Sequence, residues 1–223
     1  MHLHTIRRGA GAPIVFIHGL GASTATWDAC MDALADRYEV VAVDLPGHGR
    51  SPVVDDPDAY RRDSALRDID DVLASLGRPA VLVGHSLGGY LSLAHAATRP
   101  GVARGIVVLN TGPGYRDPVK REEWNARSRR NAHRFGVPAH VADLNLQHDS
   151  VVMDRLGEVR VPTLVLAGGA DRAEYTAAGQ YLERKMPAAK LVVVPGGDHT
   201  MHESSHATEV AQHIDGFVSS LPA

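Results

Sequence analysis

Ser86, Asp171 and His199 are the residues of this chain whose types and order suit nucleophilic chemistry. A serine hydroxyl is a weak nucleophile at neutral pH. It needs a base within hydrogen-bond reach, and the base needs a third group to fix its tautomer. Ser86 lies in Gly84-His85-Ser86-Leu87-Gly88, between the apolar run 80–83 and the helix-like run 90–97. A G-x-S-x-G pentapeptide arises by chance in roughly one such chain in ten, so its surroundings must decide. A strand, this turn and then a helix form the setting that lifts a serine Oγ clear of a sheet. Asp171 follows Gly168-Gly169-Ala170, and His199 follows Pro195-Gly196-Gly197-Asp198. Both come just after apolar runs.

A negative charge developing on an attacked carbonyl needs donors. The turn His18-Gly19-Leu20-Gly21 follows the apolar run 14–17. The amides of Leu20 and Leu87 there suit an oxyanion hole. An ordinary strand-to-helix turn is the alternative. Asp44-Leu45-Pro46-Gly47-His48-Gly49-Arg50-Ser51 reads as a structural turn.

The elements that must carry these residues follow from periodicity. Apolar runs at 14–17, 40–45, 80–83, 105–109, 163–167 and 191–194 are continuous rather than alternating. That is the pattern of strands buried on both faces of a parallel sheet. Helix-period stretches at 26–37, 58–76, 175–186 and 207–221 lie between or after them. The pattern predicts an α/β fold with a doubly wound sheet, in which ligands bind at the carboxyl ends of strands. The candidate residues fall at those ends. Residues 112–160 contain no strand pattern and include a helical stretch at 118–135. They read as a lid inserted into a core domain of residues 1–111 and 161–223.

Taken together, 18–21, 44–51, 84–89, 168–171 and 197–199 make the chain resemble the α/β-hydrolase family over nearly its whole length. The resemblance implies a mostly parallel sheet of about seven strands. It implies Ser86 as nucleophile, His199 as base, Asp171 as acid, and an oxyanion hole at Leu20 and Leu87. Serine at the turn separates the chain from the haloalkane dehalogenase and epoxide hydrolase branches, which carry aspartate there. Three departures stand out. Only 4–8 is available before the 14–17 strand, so the first edge strand is expected to be missing. The lid is short, and an open pocket would follow. Asp198 stands where glycine is common and is a rival acid, although neighbouring side chains usually diverge.

The expected activity is cleavage of an ester, thioester or related acyl bond of a small molecule, without cofactor or metal. The same residues would serve a C–C bond hydrolase or a cofactor-free perhydrolase. A non-catalytic ligand binder on the same fold is the alternative from a different class. Tyr115 and Trp124 of the lid are candidate substrate contacts, or lid packing. The cations around 116–134 suit an anionic substrate, or form a solvated helix face.

Other signals are weaker. His202-Glu203-Ser204-Ser205-His206 matches the zinc-binding H-E-x-x-H pattern, but no third ligand sits at metzincin spacing. The stretch is expected to open the last helix. His2 and His4 are expected to face solvent on an edge strand. Most of the other histidines, of 13 in all, read as structural or surface residues. The single cysteine, Cys30, reads as a core residue. With 223 residues, 44% hydrophobic and net charge −3, the chain suits one domain. Nothing in it favours nucleic acid or an anionic membrane as partner. With no apolar run near 20 residues and no h-region near the start, the expected location is the cytoplasm.

Overall fold

The computed structural model describes residues 1–203 and 206–222. Seven strands form one sheet: β1 (Thr5–Arg8), β2 (Ala12–Ile17), β3 (Tyr38–Val43), β4 (Val81–His85), β5 (Gly105–Leu109), β6 (Thr163–Gly168) and β7 (Ala189–Val194). Their order is β1-β3-β2-β4-β5-β6-β7. β1 pairs antiparallel with β3, and every other pairing is parallel. The helices are α1 (Asp28–Leu34), α2 (Arg62–Ser75), α3 (Leu87–Thr98), α4 (Pro118–Asn131), α5 (Ala139–Ala142), α6 (Val151–Arg155), α7 (Ala173–Lys185) and α8 (Ala207–Ser220).

The continuous apolar strands serve two cores at once. Val15, Ile17, Val41, Val43 and Leu82 point to the face covered by α2, α3 and α7. Ile14, Phe16, Val40, Ala42, Val81 and Val83 point to the face covered by α1 and α8. Side chains alternate along a strand, so a sheet covered on both faces needs apolar residues at every position. Each fully buried leucine, such as Leu82 or Leu91, stabilises by roughly 1.5–3 kcal/mol. Cys30 is buried in the α1 stripe beside Trp27, and burial pushes its thiol pKa up to about 12.

Two expectations fail locally. His4 precedes β1 and is half buried. Its amide donates to Ser51 Oγ (2.8 Å), its carbonyl accepts from the Asp44 amide (2.9 Å), and its Nε2 is buried. The turn after β3 therefore captures a residue that alternation would place in solvent. The last helix starts at Ala207, so His202 and Glu203 lie ahead of it. His202 is fully buried between Trp27 and His85 (ring centroids 4.3 Å from each).

Between β5 and β6 the chain is helical. Asp117 caps α4 by accepting from the amides of Val119 (2.8 Å) and Lys120 (3.3 Å), with Pro118 opening the helix. α4 buries only Asn125 and Ser128. Polar bonds hold it: Asn125 donates to the Gln147 carbonyl (2.9 Å), and the Gln147 amide donates back to Asn125 (2.8 Å). Arg62 of α2 pairs bidentately with Asp149 (2.7 and 2.9 Å), joining the segment to the body.

Candidate active site

The turn from β4 into α3 forces Ser86 into an uncommon backbone state, φ 50° and ψ −110°. A non-glycine residue holds such a state only when its surroundings over-determine it. They do so here. The Ser86 amide donates to the Leu109 carbonyl (2.9 Å), and the Ser86 carbonyl accepts from Thr111 Oγ1 (2.7 Å) and the Tyr90 amide (3.0 Å). Strand and helix approach so closely that a Cβ at Gly84 would collide with the Gly88 carbonyl. One at Gly88 would collide with the Ile17 carbonyl. Both glycines of the pentapeptide are thus required by space.

His199 Nδ1 donates to Asp171 Oδ2 at 2.6 Å. A carboxylate only accepts, so Nδ1 carries a proton, and in the neutral ring the lone pair is on Nε2. Asp171 Oδ1 is fixed as well, by the Arg172 amide (2.7 Å). The Asp171 side chain is 5% exposed and that of His199 35%, so the acid is shielded and the base is reachable. Asp198 is exposed and takes the Thr200 amide (2.9 Å). It makes a local turn and does not meet the imidazole.

Ser86, Leu87, Leu20 and His199 line one cleft of about 990 Å³. Neither the Leu20 nor the Leu87 amide is taken up by a hydrogen bond among the described residues, and Leu87 opens α3, whose first amides have no intrahelical partner. Ser86 and His199 share the cleft without being hydrogen-bonded to each other. Such bonds are often long in free enzymes and tighten with substrate. Tyr115 and Trp124 line the same cleft, 6.1 Å apart.

Several residues around His199 escape sequence reasoning. Asn110, with φ 46°, donates from Nδ2 to the Asp198 and His199 carbonyls (2.9 Å each). Its Oδ1 accepts from the Gly168 amide (2.8 Å). His85 Nε2 donates to the His199 carbonyl (2.8 Å). Tyr175 packs on the His199 ring at 4.7 Å, and Arg172 donates to its hydroxyl (2.6 Å). A polar pair directly after a strand, Asn110-Thr111, was the one local signal available.

Upstream, His18 Nδ1 donates to the Gly19 carbonyl (2.6 Å) and Nε2 accepts from the Leu45 amide (2.9 Å). Burial keeps it neutral, with its pKa pushed down to about 4. Asp44 accepts from the amides of Thr24 (2.6 Å) and Arg50 (2.9 Å), which makes 44–51 a structural turn as expected.

The H-E-x-x-H stretch does not gather donors. Ser204 and Ser205 lie outside the described residues. His202 Nε2 is 3.6 Å from Glu203 Oε1, too far for a hydrogen bond, and burial pushes its pKa down to about 3. His206 Nε2 instead donates to the Pro195 carbonyl (3.2 Å). No group of three histidine, cysteine or acidic residues converges as a metal site among the described residues.

A serine on a strained strand-to-helix turn, two free amides and an oriented imidazole in one cleft can attack and stabilise a carbonyl centre. The fold that presents them matches known proteins. A model described as the alpha/beta hydrolase fold matches residues 12–132, and one described as the alpha/beta hydrolase family matches residues 115–213. The chain belongs to the α/β-hydrolase family and is an enzyme of that kind. It is 27% identical over 245 residues to 2-(acetamidomethylene)succinate hydrolase of Mesorhizobium japonicum, covering 91% of this chain and 87% of the relative. It is 29% identical to pimeloyl-[acyl-carrier protein] methyl ester esterase of Xanthomonas campestris pv. campestris, covering 100% of both. In fold it resembles the solved structure of MenH from S. aureus, with a TM-score of 0.85 at 21% identity over 97% of this chain and 98% of that one. Among the described residues no helix is long and apolar enough to cross a membrane.

Proposed function

We propose that the protein is a serine hydrolase that cleaves an ester or related acyl bond of a small molecule through an acyl-enzyme. The observation that carries this reading is the 2.6 Å bond from His199 to Asp171 in the cleft that exposes Ser86. Ser86 Oγ attacks the carbonyl carbon while His199 Nε2 takes its proton. The tetrahedral oxyanion accepts from the Leu20 and Leu87 amides. His199 then protonates the leaving group, and the acyl group stays on Ser86. Water, deprotonated by His199, attacks the acyl carbon and releases the acid. Asp171 keeps the ring in the required tautomer and stabilises the imidazolium. No step calls for a cofactor. Residues 112–160 act as the lid, with Tyr115 and Trp124 facing substrate. Relatives named as an ester hydrolase and a succinate-derivative hydrolase support the reaction class.

A fluorophosphonate probe tests the reading. Stoichiometric labelling of the wild type and none of Ser86→Ala is the expected result, read by intact-protein mass spectrometry. Equal labelling of the variant, or activity abolished by a chelator, refutes it.

A further inference from the structure

The helical wall of the cleft carries charge that the protein does not neutralise. Lys120, Trp124, Arg127 and Asn131 recur at helical spacing and all line the cleft, so one face of α4 looks onto Ser86 and His199. Glu123, on α4 between the two cations, is exposed and forms no ion pair with Lys120 or Arg127 among the described residues, and the acids flanking it are engaged elsewhere. Asp117 caps the helix, Glu122 pairs with Arg129 (3.2 Å) and Asp154 pairs with Arg116 (2.6 Å). Of the acids that line the cleft, Glu174 faces Arg172 (3.8 Å), and Glu203 lies beside His202, which burial keeps neutral. Lys120 and Arg127 have no ion-pair partner among the described residues. The Arg127 guanidinium rests over the Trp124 ring at 5.0 Å, which orients it without neutralising it. In a chain of net charge −3, this is a local positive field inside a concave site.

We propose that Lys120 and Arg127 form an anion subsite, and that the substrate is an acyl compound bearing an oxyanion, carboxylate or phosphate, remote from the scissile bond. The proposal rests on the acyl-hydrolase reading of the same cleft. The two cations are seven residues apart, about 10 Å along the helix, with Trp124 between them. An extended chain with an apolar middle and a charged end fits that wall.

Two substrate pairs test it. Mono-p-nitrophenyl glutarate differs from p-nitrophenyl pentanoate chiefly by a carboxylate. An acyl-phosphopantetheine thioester differs from the acyl-pantetheine by a phosphate. The wild type should prefer the charged member of at least one pair by about tenfold in kcat/KM, mainly through KM. The preferred pair identifies the oxyanion. Lys120→Ala/Arg127→Ala should bring that ratio close to one, whereas Arg130→Ala/Arg134→Ala, exposed outside the cleft, should keep it. Ratios near one in the wild type for both pairs, or a preference that survives the first double variant, overturn the proposal. If no substrate turns over and the probe does not label Ser86, the acyl reading falls. Titration of glutarate and of phosphopantetheine into the Ser86→Ala protein then decides the subsite alone. Binding weakened several-fold by Lys120→Ala/Arg127→Ala upholds it, and no binding, or binding unchanged by that pair, overturns it.

Discussion

The two walls of the cleft are held by different physics. On the sheet side, Asn110, His18 and Asp44 engage backbone groups of neighbouring turns, all from buried positions. On the α4 side, the helix buries two polar residues, and Lys120 and Arg127 stand exposed. The proposed reacting groups sit on the wall where each turn is fixed from several directions. The proposed charged contacts sit on the wall held by a few reciprocal amide bonds. Proton transfer tolerates little misplacement, whereas recognition of a charge by a long side chain tolerates more. Under the proposed roles, the contrast separates what makes the reaction from what chooses the substrate.

The largest test of that contrast falls on the sheet wall. Asp171→Asn should lower kcat by about 10³- to 10⁴-fold with little change in KM. Asp198→Asn should stay within about threefold, both read by steady-state kinetics. Greater damage from Asp198→Asn would mean that the imidazole is oriented by its own turn and not by β6.

Acid probes the same wall through stability. His18, His48, His85 and His202 are all held below the usual histidine pKa, chiefly by burial. The unfolded chain therefore binds protons that the folded chain refuses. Stability is fully present above pH 6.5 and falls as the pH drops toward the folded values, about 4 for His18. His18 alone contributes roughly 3 kcal/mol over that window. Urea midpoints at pH 7 and pH 5 check this, and equal midpoints would break the picture of neutral rings locked in the body.

The smallest effect belongs to the α4 wall. Asn125→Ala removes the reciprocal bonds to Gln147 and should cost about 1–2 kcal/mol. The expected signature is a raised KM with kcat nearly intact, beside a slightly lower Tm. A kcat loss as large as that of Asp171→Asn would erase the distinction between the walls.

Much of the sheet wall was legible in the sequence. Continuous apolar runs mark strands that feed two cores, and glycines beside Ser86, Asp171 and His199 mark the turns at their ends. Asn110 was not legible, because its partners are 58 and 88 to 89 residues away and no local pattern records them. His85 read as a residue that packs or hydrogen-bonds locally, yet its ring holds the His199 carbonyl from 114 residues away. Periodicity reports which face of an element is buried. It carries no information on which distant turn a buried polar group will grip. His4 eluded it for the same reason.

Asn110 has a consequence for how such an enzyme diverges. Its one carboxamide grips the end of β6 and the turn bearing His199, while its own strand, β5, grips Ser86 through the Leu109 carbonyl. On the proposed roles, the spacing between nucleophile and base is held beneath the cleft by these bonds, none of which involves residues 112–160. If residues 112–160 are the lid proposed above, they can drift, lengthen or be exchanged wholesale while the proposed reacting atoms keep their registration. A lineage built this way can change what it hydrolyses many times and need invent the hydrolysis only once.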